Sequence, residues 1–474
     1  MKEYRILTGG MGAGVSNWEL AKAVGQSGQI GVVSGTAIDV IVARRLQIGD
    51  KDGNMRRALS HFPVKSIAER IINEYYIEGG KAEEASFKNL PMYTLTPPKE
   101  LVELTVAANF VEVFLAKEGH DNPIGLNLLE KVALPNPASI YGAMLAGVDY
   151  VVMGAGIPRE IPGVIDAFSK GEDASIRIYV EGAEKDEEYR MHFSPKDIMG
   201  EFLTELPRPK FYAIVSSNIL ATTMVKKTKP AVDGLVVEHN TAGGHNAPTR
   251  GGLNLGESGE PTYGEKDEVD LEKIKALGVP FWLAGSWGEA AKLKEAIAAG
   301  AQGIQVGTLF AMCKESGFVD SIKKAILEKL PDVFTDPKAS PTGFPFKVVN
   351  LEDTLAMIEE YLKRHRICNL GYLRHLYKKE DGTIGYRCPA EPAKAYIMKG
   401  GDEEELEGRK CLCNALIANI GLPAVYKSGY VEQKLITAGD TLKKVCDYLK
   451  DGSEHLYVAY VIEQLLGEIN PSKA

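Results

Sequence analysis

Cysteine is absent from the first 312 residues of this chain; all 6 of its cysteines fall at Cys313 or beyond. A disulfide scaffold is excluded for that part, and a reducing compartment is the expected setting. Also missing is any apolar run of about 18 residues, so no membrane-spanning helix is expected. Basic residues are not in excess: 64 Asp and Glu stand against 55 Lys and Arg, a formal net charge of -9. That balance argues against nucleic acid or an anionic membrane as partner. The opening residues Met1-Lys2-Glu3-Tyr4-Arg5-Ile6-Leu7 enter a strand-like run at once and lack the shape of a leader peptide. Low-complexity tracts and internal repeats are absent too. These absences lead to the expectation of an acidic, soluble, cytoplasmic enzyme acting on a small molecule.

At 474 residues the chain is long for one ordinary domain, and its 45% hydrophobic residues suffice for a large core. Eight short apolar or β-branched runs read as buried parallel strands: Arg5–Thr8, Ile30–Ser34, Pro123–Leu128, Tyr150–Gly154, Tyr212–Ser216, Gly234–Glu238, Pro280–Ala284 and Gly303–Val306. Their hydrophobicity is nearly continuous, as expected of strands covered on both faces. Helical patterns lie between most of them, clearest at Glu289–Ala299. Eight alternations of strand and helix predict an α/β fold, a (β/α)8 TIM barrel, over residues 1–343. Two stretches break the alternation and read as insertions. Residues 36–122 carry extra helices such as Val64–Tyr76 and Pro98–Lys117, and residues 173–210 carry a hairpin and a short helix. Residues 344–474 read as a mainly helical C-terminal subdomain.

Chemistry concentrates at the strand ends. The last two strands run into Gly285-Ser286 and Gly307-Thr308, each ahead of a helix-forming stretch. Turns of this kind present backbone N–H groups to a phosphate, and the loops after strands seven and eight are the usual phosphate site of such a barrel. The first strand ends in Gly9-Gly10-Met11-Gly12-Ala13-Gly14-Val15-Ser16-Asn17. Its glycines allow a flat ligand close to the backbone, and Ser16 with Glu19 has the spacing of a helix cap. The stretch lacks the Lys-Ser/Thr of a P-loop, and Val15 occupies the third glycine position of a dinucleotide fingerprint. Asn127 ends the third strand, where its amide either serves a heterocycle edge or closes an Asx turn. His245 follows two glycines after the sixth strand, at the rim where a general base would act. His239 and His245 lack the spacing of a helical zinc pair, and no metal site is expected. Cys368, Cys388, Cys411 and Cys413 form a looser group, open to a zinc or iron–sulfur reading and to a reading as separate buried thiols.

Taken together, these residues resemble the nitronate monooxygenase (2-nitropropane dioxygenase) family of FMN-dependent TIM barrels. The resemblance runs through Gly9-Gly10-Met11-Gly12, Gly125-Leu126-Asn127, Ala242-Gly243-Gly244-His245 and Gln305-Val306-Gly307-Thr308, in family order. It implies FMN as cofactor: Gly9, Gly10 and Met11 line the flavin ring, Asn127 bonds it, and Gly243 lies against it. Gly285, Ser286, Gly307 and Thr308 bind the phosphate with Gln305 nearby, and His245 is the catalytic histidine. The implied reaction is oxidation of alkyl nitronates by O2. The same motifs occur in NAD(P)H-dependent flavin reductases of enoyl thioesters and quinones, which stand as the alternative; a non-catalytic FMN-binding barrel is the third reading. The family's arginine after the histidine is Asn246-Ala247 here, and its double glycine after strand seven is Gly285-Ser286.

Overall fold

Each of the eight apolar runs forms a strand of one parallel sheet. They are β1 (Ile6–Thr8), β2 (Gly31–Ser34), β3 (Ile124–Leu129), β4 (Tyr150–Gly154), β5 (Lys210–Val215), β6 (Gly234–Glu238), β7 (Phe281–Ala284) and β8 (Gly303–Val306). This computed structural model describes residues 3–467. Residues 1–2 and 468–474, the ends of the expected barrel and C-terminal segments, lie outside the described residues.

The strands follow one another around the sheet in chain order, with β1 also paired to β8. Between β1 and β2, Leu7 bridges Ile30, and the Thr8 N–H donates to the Ile30 carbonyl at 3.0 Å. The sheet therefore closes on itself, and the expected (β/α)8 barrel is what forms. Its interior is packed by alternate residues: Leu7, Val32, Val152, Tyr212, Val236 and Trp282 make one buried cluster. Tyr150 and Tyr212 meet edge to face there, with ring centres 5.2 Å apart.

The first insertion holds four helices, Ile38–Gln47, Asn54–Ser60, Lys65–Tyr75 and Lys99–Lys117. The last is buried along most of its length because it packs on two barrel helices, Trp18–Gln26 and Asn136–Leu145. Among the described residues no helix is long and apolar enough to cross a membrane. The second insertion is a hairpin, Ala174–Ile178 against Tyr189–Phe193. Val180–Glu181 then pairs in parallel with His375–Lys378, which pairs with Ile384–Arg387. Arg387 clamps Glu181 through both carboxylate oxygens, at 2.7 and 2.8 Å.

The C-terminal segment contributes helices Ile358–Lys363, Ala393–Met398, Leu412–Ala418 and Val458–Gly467 as well as strands. Phe346–Val349 pairs on one side with Val333–Asp336 and on the other with Gly244–His245, so the expected division near residue 343 falls inside a sheet. Ile436, Leu442, Val445, Val461 and Leu465 share the core of the barrel helices.

Candidate active site

The C-terminal ends of the strands open into one cavity of about 490 Å³, within the range of small-molecule sites. Every residue expected to bind the flavin or act on the substrate lines it: Gly9, Gly10, Met11, Asn127, Gly243, His245, Gly285, Ser286, Gln305, Gly307 and Thr308.

The glycine loop after β1 is held by two serines. Ser16 donates to the Gly9 carbonyl at 2.7 Å and accepts from the Met11 N–H at 3.1 Å, and Ser34 donates to the Gly12 carbonyl at 2.6 Å. The helix cap is Asn17, which accepts from the Leu20 N–H at 2.9 Å. Ser16 is thus not the cap its spacing suggested; its hydroxyl is committed to shaping the loop. A side chain at residue 10 would collide with Asn127, so Gly10 and Asn127 are packed as a pair.

After β7 the backbone turns through two left-handed residues, Gly285 (φ 85°) and Ser286 (φ 54°). A Cβ on Gly285 would sit 2.8 Å from the His239 carbonyl oxygen, which makes glycine obligatory there. Helix Ala290–Ala298 follows, and Lys292 donates to the Ser286 carbonyl at 2.8 Å. After β8 the helix is one turn, Thr308–Ala311, shorter than the sequence pattern suggests. Thr308 Oγ1 accepts the Gly439 N–H at 2.9 Å, and Gln305 Nε2 donates to the Thr8 carbonyl at 3.3 Å. Gly243 also meets the C-terminal segment: a Cβ there would lie 2.5 Å from the Ala438 backbone.

His245 Nε2 lies 2.7 Å from Ser340 Oγ and 3.4 Å from Thr342 Oγ1, and its ring meets Phe346 edge-on at 4.8 Å. Burial, then the charge of Lys131, pushes its pKa down to about 3. The imidazole is therefore neutral at physiological pH. His239, by contrast, sits beside Trp287 with ring centres 6.0 Å apart and does not line the cavity.

Two charged residues escaped the sequence reading. Lys131 lines the cavity; its Nζ is buried without a hydrogen-bond partner, 2.9 Å from the centre of the Phe344 ring. Burial pulls its pKa down to about 7. A signal was present, because Asn127, Leu129 and Lys131 alternate along β3 and its end, and all three face the cavity. Glu238 ends β6 and lines the same cavity, and enclosure raises its carboxyl to about 7.

These residues fit a flavin mononucleotide. Asn127 Oδ1 and Lys131 Nζ are buried without a hydrogen-bond partner, Gly9 and Gly10 of the β1 loop line the cavity with backbone alone, and the rims after β7 and β8 line the same space.

The family model described as nitronate monooxygenase matches residues 208–340. This stretch of the barrel is similar to the nitronate monooxygenase family. It spans β5 to β8, including Gly243, His245, both glycine rims and Ser340, and it bears out the family resemblance read from the sequence. At its coarser level the match supports a flavin oxidoreductase. No curated protein matches the sequence.

Three solved structures are similar along nearly the whole chain. FabK from Thermotoga maritima is 16% identical, with 99% of this chain and 94% of that one covered and a TM-score of 0.47. A nitroalkane oxidase from Streptomyces ansochromogenes is 14% identical, with 99% and 96% covered and a TM-score of 0.44. The enoyl reductase domain of MlnA from Bacillus amyloliquefaciens is 11% identical, with 99% and 93% covered and a TM-score of 0.47. The barrel itself rests on the strand order and its closure, independently of these likenesses.

Proposed function

We propose that this cavity binds FMN and that the chain oxidises alkyl nitronates with O2. The observation that carries this reading is the convergence of His245, Asn127, the unpartnered Lys131 and both glycine rims on one enclosed space. Gly285, Ser286, Gly307 and Thr308 would hold the phosphate through backbone and hydroxyl groups, with Gln305 beside them. Gly9, Gly10 and Met11 would border the ring, Asn127 would bond its edge, and Gly243 would close the wall by admitting the Ala438 backbone. Bound flavin supplies the electron transfer, with O2 as the final acceptor.

The chain's own residues set the charge. A nitronate is an anion, and Lys131 is a cavity-facing cation with no hydrogen-bond partner. His245, held by Ser340 and Thr342, offers a neutral hydrogen-bonding ring. It takes up a carbon-bound proton when the substrate arrives as the neutral nitroalkane. The apolar part of the lining, including Ile157, Leu220, Phe344 and Leu416, excludes water and accepts an alkyl group. That same lining favours the second reading, an NAD(P)H-dependent reductase of an enoyl thioester, whose acyl chain it would also accept.

Anaerobic mixing separates the two. Bleaching of the flavin by a nitronate, and not by NADH or NADPH, is the expected result; rapid bleaching by a nicotinamide would give the site to the reductase. His245→Asn should keep its flavin and lose about 10²-fold in turnover of neutral nitroalkane, the lower end of a general base's contribution. Steady-state kinetics on flavin-loaded protein measures this, and an unchanged rate removes His245 from proton transfer.

A further inference from the structure

Cys368, Cys388, Cys411 and Cys413 are brought together from three separate stretches. Cys368 lies in the loop after helix Ile358–Lys363, Cys388 follows strand Ile384–Arg387, and Cys411 and Cys413 open helix Leu412–Ala418. All four are free thiols lining one small hollow beside the main cavity. Each sulfur lies within interaction range of the other three.

Ordinary core packing accounts for a buried cysteine, but three features here exceed it. Backbone N–H groups are directed at three of the sulfurs: Gly371 at Cys368, Ala390 at Cys388 and Asn414 at Cys411. Asn414 Nδ2 adds a side-chain donor 3.7 Å from the Cys411 sulfur. Arginines gather around the group, Arg364 near Cys411, Arg366 near Cys388 and Arg374 near Cys368. Arg364 is buried with its Nη1 unpartnered, although Glu432 accepts from its Nε at 3.4 Å. N–H donors and guanidiniums around sulfur are what thiolates require and neutral thiols do not.

We propose that Cys368, Cys388, Cys411 and Cys413 bind a four-iron iron–sulfur cluster. No group of three or more His, Cys, Asp or Glu side chains among the described residues is disposed to hold a single metal ion. A cluster asks for a wider arrangement, because each thiolate binds a different iron; Cys411 and Cys413, whose side chains hydrogen-bond each other here, would move apart to take it. The arginines balance the negative charge of the liganded cluster. Leu373, Leu412 and Cys413 line both the hollow and the main cavity, which places this one-electron carrier one side chain from the proposed reaction space. The assignment stands apart from the proposed reaction, since it is read without turnover.

The test is iron and acid-labile sulfide analysis of the full chain, purified without oxygen or reconstituted with ferrous iron and sulfide. About four of each per chain are expected, with a paramagnetic signal on chemical reduction. Cys388→Ser and Cys413→Ser should lose most of the iron, whereas Cys446→Ser, outside the group, should keep it; circular dichroism reports whether each variant folds. Should the ligand variants fail to fold, the wild-type analysis decides alone. One zinc per chain, four titratable thiols with no iron after reconstitution, or equal iron in all folded variants would overturn the proposal.

Discussion

Lys131 and Glu238 show how one cavity can hold opposite charges at different readiness. Lys131 Nζ has a pKa near 7, so its charge is present below that value and lost above it. If the cation receives a nitronate, kcat/KM for a preformed nitronate should fall as pH rises through about 7. Lys131→Met should flatten that limb and lie about tenfold lower at pH 6, a loss of about 1.4 kcal/mol in transition-state binding. A wild-type profile level from pH 6 to 9 would contradict this. His245 adds no limb in that window, because its ring is neutral above about 3. Glu238 runs the other way with respect to stability. Its folded pKa, about 7, lies above the ordinary 4.5, so its contribution is fully present below about 4.5 and is lost as pH rises through about 7. Glu238→Gln should therefore be more stable than wild type at pH 8, by about 1–2 kcal/mol after allowance for solvent screening. The difference should vanish below pH 4.5, as read from urea melts at the two pH values.

The elements differ in how plainly the sequence announces them. β1 to β8 were legible because a strand buried on both faces must be apolar throughout, and Tyr150–Gly154, Gly234–Glu238 and Gly303–Val306 match residue for residue. The hairpin His375–Lys378 with Ile384–Arg387 had a local signal in Asp381-Gly382, a turn pair read there as part of a helical region. The pairing of Val180–Glu181 with His375–Lys378 had none, since it joins residues nearly 200 positions apart. The wall of the cavity was half visible for the same reason. Gly243 and His245 carry a motif, but the backbone of Ala438 and Gly439 that packs on Gly243 carries no chemistry of its own. A Cβ at Gly439 would lie 2.6 Å from the Thr241 carbonyl oxygen. Gly439→Ala should cost about 1–3 kcal/mol, as overpacking does, and loosen the 241–245 loop. A lowered melting temperature together with reduced flavin retention is the expected pair of measurements; an unchanged melting temperature would show that the loop yields freely.

At the scale of the whole molecule, the barrel and the C-terminal segment share one core and one sheet. A chain ended after residue 343 would bare the partners of Ile436, Leu442, Val445, Val461 and Leu465 and strip Phe346 from His245. Such a fragment should aggregate or run as an expanded species on size exclusion, with no near-ultraviolet circular dichroism and no flavin uptake. A well-folded, yellow fragment would show that the barrel is self-sufficient. The contact of Gly439 with Thr308 has a temporal meaning as well. A ribosome delivers residue 439 long after the strands that it will abut, and the nascent barrel must wait with one flank of its mouth still missing. A prosthetic group that arrived before residue 439 had emerged and packed would meet an unfinished vessel, so loading is expected only after that contact forms.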